Sequence, residues 1–377
     1  MALLKDLIQP ASLERCGDRS FPVLSMTMHD GIMLQSDRFK KSLVSTDQSA
    51  YKVVRRNQLV VGFPIDEGVL YIQQVVDAGI MSPAYDIWNV DKTKVDLRYF
   101  ELCLHSPQAM MFYKTNLRGT TARRRSLPKE TLLSLPVPVP KMERQREIAS
   151  TIGRLKELIE LRQCQLRTLD TLIKARFVET FGDLRLNPFG FDKKKLKQTC
   201  NVVTGNTPSR SVPEYYGDYI EWIKTDNIVS GLLNPTKATE SLSEEGMKAG
   251  RTVDSGAILM ACIAGSIASI GRVCVTDRKV SFNQQINAII PESYDTLFLY
   301  VMMQLSKDYL VEDISMALKG ILSKSKLEDK EFIVPPMEQQ EQFAVFVSQV
   351  DKSKVVVQQA LDKAQLLFES LMQQYFG

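Results

Sequence analysis

Residues 140–151 read PKMERQREIAST, and residues 335–346 read PPMEQQEQFAVF. A shift of 195 positions superposes the two, carrying Met142 to Met337, Glu143 to Glu338, Gln145 to Gln340 and Ala149 to Ala344. The shift still holds at the far end, where Phe181-Gly182 falls on Phe376-Gly377. A register kept over roughly 40 residues without a gap marks an internal duplication, which limits the chain to folds built from two copies of one unit.

Both repeated segments read as long helices. Each follows an extended proline-bearing run, SLPVPVPK (134–141) and EFIVPPM (331–337), and proline suits a helix entry because first-turn amides have no intrahelical partner. Glu143 and Glu338 then fall in the first turn, where negative charge favours the helix dipole. Apolar residues alternate by four and three. Ile148, Ile152, Leu155, Ile159, Leu166, Leu169 and Ile173 form the first seam, interrupted by Arg162 and Arg176. Phe343, Val347, Val350, Val357, Leu361, Ala364, Phe368 and Leu371 form the second, interrupted by Lys354. Such heptads predict a coiled-coil-like pairing. The alternative is two separate amphipathic helices, each on its own globule, although about 40 residues make a helix roughly 60 Å long.

The intervening blocks, 1–135 and 183–331, read as mixed α/β. Strands are expected in YKVVRRNQLVVGF (51–63), RTVDSGAILMACIA (251–264) and GRVCVT (271–276), and helices in 96–115 and 296–314. SGAILMACIAGSIASIG (255–271) is rich in small residues and falls short of a membrane span. Both blocks end with an apolar helix, a glycine-containing basic loop, RGTTARRRS (118–126) or KGILSKSK (319–326), and the proline entry. The repeated unit is therefore globule plus helix.

Composition adds mainly exclusions. The 377 residues suit two or three domains. Cys16, Cys103, Cys164, Cys200, Cys262 and Cys274 form no CxxC pair, which predicts reduced thiols and no zinc site. His29 and His105 are the only histidines and read as surface or structural residues. The net charge of +4 divides as +4 over residues 1–140, +3 over 141–182, −1 over 183–334 and −2 over 335–377. That balance does not by itself point to nucleic acid. No G-x-x-x-x-G-K-[ST] phosphate loop occurs. NPFGF (187–191) reads as turn chemistry rather than a methyltransferase motif. The Asp277-Arg278-Lys279 triplet has no second spaced carboxylate to make a nuclease site.

The repeated ending, SLPVPVPKMERQ and FIVPPMEQQ before a long helix, resembles the specificity subunit of type I DNA restriction-modification systems. GIMSPAYDIW (79–88), GNTPSR (205–210), YIEWIKTDNI (219–228) and SFNQQINAI (281–289) share the resemblance, and their order within the duplicated frame makes it specific. It implies an α+β chain with two mixed α/β target-recognition domains, 1–135 and 183–331. Two long antiparallel spacer helices, 136–182 and 332–377, join them in a pseudo-twofold repeat. Each domain would read half of a bipartite, asymmetric double-stranded DNA site. Two modification subunits would bind the helices, joined in some systems by two restriction subunits. The chain itself is expected to be non-catalytic and cytoplasmic, without membrane contact, metal or cofactor; S-adenosylmethionine, ATP and Mg would belong to the partner subunits. The alternatives are the recognition subunit of a type IIB-like system, a protein-binding coiled-coil adaptor and a free nuclease.

DNA contact needs exposed cations for phosphate and a few polar side chains for base edges. In the first block the candidates are Arg118, Thr120, Thr121, Arg123, Arg124 and Arg125, with Lys40, Lys41, Arg55 and Arg56 secondary. In the second they are Thr204, Asn206, Thr207, Ser209, Arg210, Lys224, Lys319, Lys324 and Lys326. Gly119 and Gly205 are expected to serve the backbone, and Tyr215, Tyr216 and Trp222 the core. The resemblance adds a partner surface on outward helix residues Arg144, Arg146, Arg154, Glu157, Glu160, Gln340, Glu341 and Lys352.

Overall fold

Strand Ile258–Ala261 is buried at all four positions and forms an inner strand of a four-stranded antiparallel sheet. The sheet order is Cys200–Thr204, Ile286–Pro291, Ile258–Ala261, Val273–Val275. A second sheet has the same order in Ile8–Pro10, Asp86–Val90, Gln58–Val61, Leu70–Ile72. The computed structural model describes residues 1–28, 30–38, 48–117, 127–312, 314 and 320–377. These divide into one unit of Met1–Leu161 with Leu361–Gly377 and another of Arg162–Ala360.

The duplication thus extends beyond the repeated helices. In the first unit Ala2–Leu3 pairs with Pro136–Val137; in the second Lys193–Lys195 pairs with Glu331–Ile333. Asp96 caps helix Leu97–Leu104 by accepting from the amides of Arg98 and Tyr99, and Asp295 caps Thr296–Leu305 through Leu297 and Phe298. Tyr99 Oη donates to the Pro138 carbonyl at 3.0 Å, and Tyr294 Oη to the Ile333 carbonyl at 3.0 Å. The second unit is the more elaborate, with a five-stranded sheet in which Ile220–Ile223 runs parallel to Val280–Phe282.

The long helices are Met142–Phe181 and Met337–Phe376. Within the first unit Arg144 lies over Tyr375 and Lys156 over Phe368, so the two segments run antiparallel. Within the second, Asp170 meets Lys354 at 2.8 Å, and Phe177 packs edge-on against Phe343 with ring centroids 5.4 Å apart, again antiparallel. The seam differs from the expected one near its ends. Arg176 lies outside it, exposed and paired with Glu179, while Phe177 and Phe181 are fully buried. Aromatic bulk there fills the space between helix pair and sheet, joining Phe298 and Phe343 in one cluster. Lys354 does stand in the seam, and Asp170 neutralises it there. Gly182 ends the first helix in the left-handed region at φ 76°, its amide bonded to the Val178 carbonyl.

Gln340 does not face outward. It is 1% exposed: its Oε1 accepts from the Asp295 amide at 3.0 Å, and its Nε2 donates to the Pro335 carbonyl at 2.8 Å. Its counterpart Gln145 does the same with the Asp96 amide and the Pro140 carbonyl, adding the Lys94 carbonyl. A polar residue in the first turn escapes burial only if nothing lies above it, and here the capped helix of the globule does. Among the described residues no helix is long and apolar enough to cross a membrane.

Candidate nucleic-acid interface

In the second unit the loops carrying most of the expected contacts converge on one short segment, Ser281–Ile286. The Gly205 amide donates to the Ile286 carbonyl at 3.0 Å and the Asn206 amide to the Phe282 carbonyl at 3.1 Å. The Asn283 amide donates to the Ile223 carbonyl, which brings in Lys224. On the other side the Gln285 carbonyl accepts from the amides of Cys262 and Ile263. From there Ile263–Ala264 pairs with Gly320–Ile321, immediately before Lys324 and Lys326. Backbone hydrogen bonds hold four loops, 205–210, 224–227, 262–266 and 320–326, around this hub. Gly205 is required by close approach: a Cβ there would lie 2.2 Å from the Asn283 carbonyl oxygen and 2.5 Å from that of Phe282.

The polar side chains of this group divide into structural and exposed members. Asn206 is committed, its Nδ2 donating to the Ala249 carbonyl and its Oδ1 accepting from the Arg251 amide. Thr204 is likewise bonded to Asn287. Thr207 and Gln284 are exposed and bonded to each other, and Ser209 is bonded to Ser211. Tyr216 Oη donates to the Pro208 carbonyl at 2.7 Å and Trp222 Nε1 to the Asn206 carbonyl at 3.3 Å, so both rings brace the loop from behind. Arg210 lies over them, 4.4 Å from the Tyr216 centroid and 5.4 Å from that of Trp222. Glu240 accepts from Arg210 Nη2 at 2.7 Å and from Lys224 Nζ at 2.6 Å. Lys224 and then Arg210 hold its carboxyl below the ordinary range. Lys324 is paired with Glu328 at 3.5 Å.

The first unit has a corresponding sheet end, where loops 62–68 and 82–85 leave the paired residues Val61 and Asp86. Lys52 joins it by donating to the Tyr85 carbonyl at 2.6 Å. Arg55 and Arg56 sit at the other end of strand Gln58–Val61, held by Glu14 at 2.9 Å and Asp77 at 2.8 Å. His105 is bonded through its ring nitrogens to the carbonyls of Glu101 and Gly68. Lys40, Lys41, Arg118, Gly119, Thr120, Thr121, Arg123, Arg124, Arg125, Lys319 and His29 lie outside the described residues.

Gln284 and Glu240 were not legible as members of this group. The polar run NQQ inside SFNQQINAI was the available signal for Gln284. Glu240 is 30 residues from Arg210 and nothing in its own neighbourhood marks it. Other groups have structural work. Arg278 of the acidic-basic triplet bonds Glu221 through Nε and Nη2 at 2.8 and 3.0 Å and Asp277 at 2.6 Å. Asn187 of NPFGF closes a turn onto the Phe191 backbone. Burial pushes the thiols of Cys103, Cys200, Cys262 and Cys274 up to about 12, which rules these four out as thiolate nucleophiles near neutral pH.

On the helices Arg146, Arg154, Glu157, Glu160, Glu341 and Lys352 are exposed, and Arg144 is paired with Glu147. Exposed apolar side chains lie among them: Leu158, Leu161 and Leu366 in the first unit, Val345, Val355 and Val356 in the second.

Residues 188–364 match the family model of the type I restriction modification DNA specificity domain. The HindI type I restriction enzyme specificity subunit of Haemophilus influenzae is 32% identical over 120 residues, 31% of this chain and 25% of that protein. The MjaIX specificity subunit of Methanocaldococcus jannaschii is 27% identical over 188 residues, 48% of this chain and 43% of that one. The matches therefore span less than half the length of these curated relatives. Among solved structures, the S subunit of a type I restriction-modification system from M. genitalium aligns over 100% of this chain and 95% of its own, with TM-score 0.63 and 12% identity. A chain from a structural study of type I R-M complex assembly aligns over 100% and 96%, with TM-score 0.54 and 16% identity. These structural likenesses are likenesses of fold.

Proposed function

We propose that this protein reads a bipartite DNA site, one half by each unit; residues 188–364 match the type I restriction-modification DNA specificity domain and the chain has the fold of specificity subunits. The carrying observation is the repeated anchor. In both units a buried glutamine of the long helix bonds the N-terminal amide of the capped helix, tying each globule to its helix in the same way. Two like readers fixed to paired helices suit an asymmetric split site, as dimeric DNA-binding proteins suit half-sites at set spacing. In this reading the recognition domains are residues 1–135 and 183–331, and the spacers 136–182 and 332–377.

The chain's own part is recognition. In the second unit Thr207, Ser209, Arg210, Lys224, Lys324 and Lys326 are its DNA-facing candidates, with Gln284 added. The exposed helix residues, polar Arg146, Arg154, Glu157, Glu160, Glu341 and Lys352 with the apolar side chains between them, would bind two modification subunits and, where present, restriction subunits. S-adenosylmethionine, ATP and Mg would be held by those partners. The target adenine would leave the stack to be methylated, since an in-stack base is out of reach.

Methylation mapping tests this in cells expressing the chain with its cognate modification subunit, against cells lacking the chain. A split motif methylated on both strands and lost without the chain is expected. Replacing residues 1–135 by the corresponding block of another specificity subunit should change one half of the motif. Absence of chain-dependent methylation together with absence of DNA binding would refute the reading in favour of a protein-binding adaptor.

A further inference from the structure

Glu240 places a carboxylate in the middle of a surface meant for a polyanion. It is not a bystander, since it takes one hydrogen bond from Arg210 of the GNTPSR loop and one from Lys224. We propose that Arg210 reads a guanine edge in the half-site of the second unit, and that Glu240 is the positioning residue that withholds Arg210 and Lys224 from phosphate. The inference rests on the DNA-reading function above and adds its chemistry.

Three observations carry it. First, Arg210 is pre-organised. Its guanidinium is stacked over Tyr216 and Trp222, and those two rings are themselves fixed to the loop backbone by hydrogen bonds to the Pro208 and Asn206 carbonyls. An arginine already held in one plane loses little rotamer freedom when it donates again. Second, it has donors to spare. Among the described residues Arg210 donates to protein only from Nη2, and its side chain is 58% exposed, so the Nε, Nη1 and remaining Nη2 hydrogens are available. A planar pair of such donors matches the O6 and N7 acceptors of guanine in the major groove. Third, Arg210, Lys224 and Glu240 together carry only one net positive charge. Two cations sharing a carboxylate are weak ligands for phosphate, whose attraction is electrostatic and independent of sequence. They lose much less toward a neutral base edge, which is recognised by hydrogen-bond geometry. The carboxylate therefore lowers affinity for every wrong sequence more than for the right one, which is how specificity is gained by disfavouring competitors.

The test uses the full chain with its cognate modification subunit, in wild-type form and as Arg210→Lys, Arg210→Ala and Glu240→Gln. Arg210→Lys keeps the charge and loses the fork. It is expected to make methylation degenerate at one G·C pair of one half-site, with discrimination there reduced about tenfold to a hundredfold, and to leave the other half-site unchanged. Glu240→Gln frees two cations for phosphate. Binding to duplex DNA lacking the motif should tighten, and log K against log salt should steepen by about 1–2. A motif unchanged in both Arg210 variants would make Arg210 only a staple between loop and sheet and overturn the proposal, as would degeneracy spread over both halves. An unchanged or shallower salt slope in Glu240→Gln would overturn the role of Glu240. If the wild-type chain yields no motif, the DNA-reading function has failed and the proposal falls with it.

Discussion

Gln340→Leu is the substitution that best probes how each globule is seated on its helix. Leucine is close in volume and adds apolar surface, so the cost comes from polar groups left behind. Two are exposed to that fate: the Asp295 amide, bonded to Oε1 at 3.0 Å, and the Pro335 carbonyl, bonded to Nε2 at 2.8 Å. Leaving a buried donor or acceptor unsatisfied costs about 1–3 kcal/mol each, and the added apolar burial returns part of it. A net local destabilisation of about 2–4 kcal/mol follows. By the factor of ten per 1.4 kcal/mol, the Asp295 amide should exchange its hydrogen at least about 30-fold faster. Native-state hydrogen exchange reads this residue by residue. The Asp96 amide, bonded by Gln145 in the other unit, should keep its wild-type rate. Gln145→Leu should give the mirror result, with a larger cost because three groups lose their partner. Wild-type exchange at Asp295 in Gln340→Leu, or equal acceleration at Asp295 and Asp96, would refute the claim that each glutamine anchors its own unit.

Three further outcomes follow from the geometry. Phe181→Ala removes a fully buried ring at 4.8–5.5 Å from those of Phe177, Phe298 and Phe343; it should cost about 3–5 kcal/mol in urea unfolding followed by a probe in the second unit. Gly205→Ala drives a Cβ into the backbone of Phe282 and Asn283, so it should displace the loop hub, cost about 1–3 kcal/mol, and abolish methylation of one half-site while the first unit stays folded by circular dichroism. The third concerns pH. Burial holds the Asp351 carboxyl above its ordinary value; Lys354 opposes this and Asp170 adds to it. Such a group takes up a proton on folding within that window, so its charged form costs stability at neutral pH and the cost fades as pH falls through the folded value. Asp351→Asn should therefore raise the unfolding midpoint at pH 7, and the gain should disappear below the ordinary value of 3.8; a gain that persists at pH 3 would contradict burial as the cause.

The sequence carried the frame well because the frame is local. Heptad spacing, proline entries and the constant register are properties of contiguous residues, and they correspond to the two helices and their antiparallel partners. The strand expectations in 251–264 and 271–276 also rest on contiguous apolar runs. What escaped was set by contacts distant in the chain. Gln340 reads as an outward polar residue until the capped helix beginning at Thr296 lies above it. Arg176 and Phe177 compete for one seam position, and packing against Phe298 and Phe343 selects the aromatic ring. Glu240 and Arg210 meet across 30 residues. Arg55 and Arg56 are DNA candidates by composition; the fold pairs them with Glu14 and Asp77, at the end of strand Gln58–Val61 away from loops 62–68 and 82–85.

The anchor's chemistry bears on how the proposed DNA target of such a chain could change. Among the described residues, every side-chain partner of Gln145 and Gln340 is a main-chain amide or carbonyl, and the tyrosine bonds to Pro138 and Ile333 are also to carbonyls. Main-chain groups are present whatever side chains the sequence carries, so the joint between globule and helix does not depend on the residues proposed to face DNA. In the second unit the candidate loops at 205–206, 223–224 and 262–263 are likewise held by backbone bonds to 282–286. Under the proposed function, Arg210→Lys would therefore alter what is read without moving the loop that presents it, whereas Gly205→Ala would move the loop without altering any of the proposed reading side chains. If the chain reads DNA as proposed, target choice and frame stability are separable in this fold, because one would be written in side chains and the other is written in backbone hydrogen bonds.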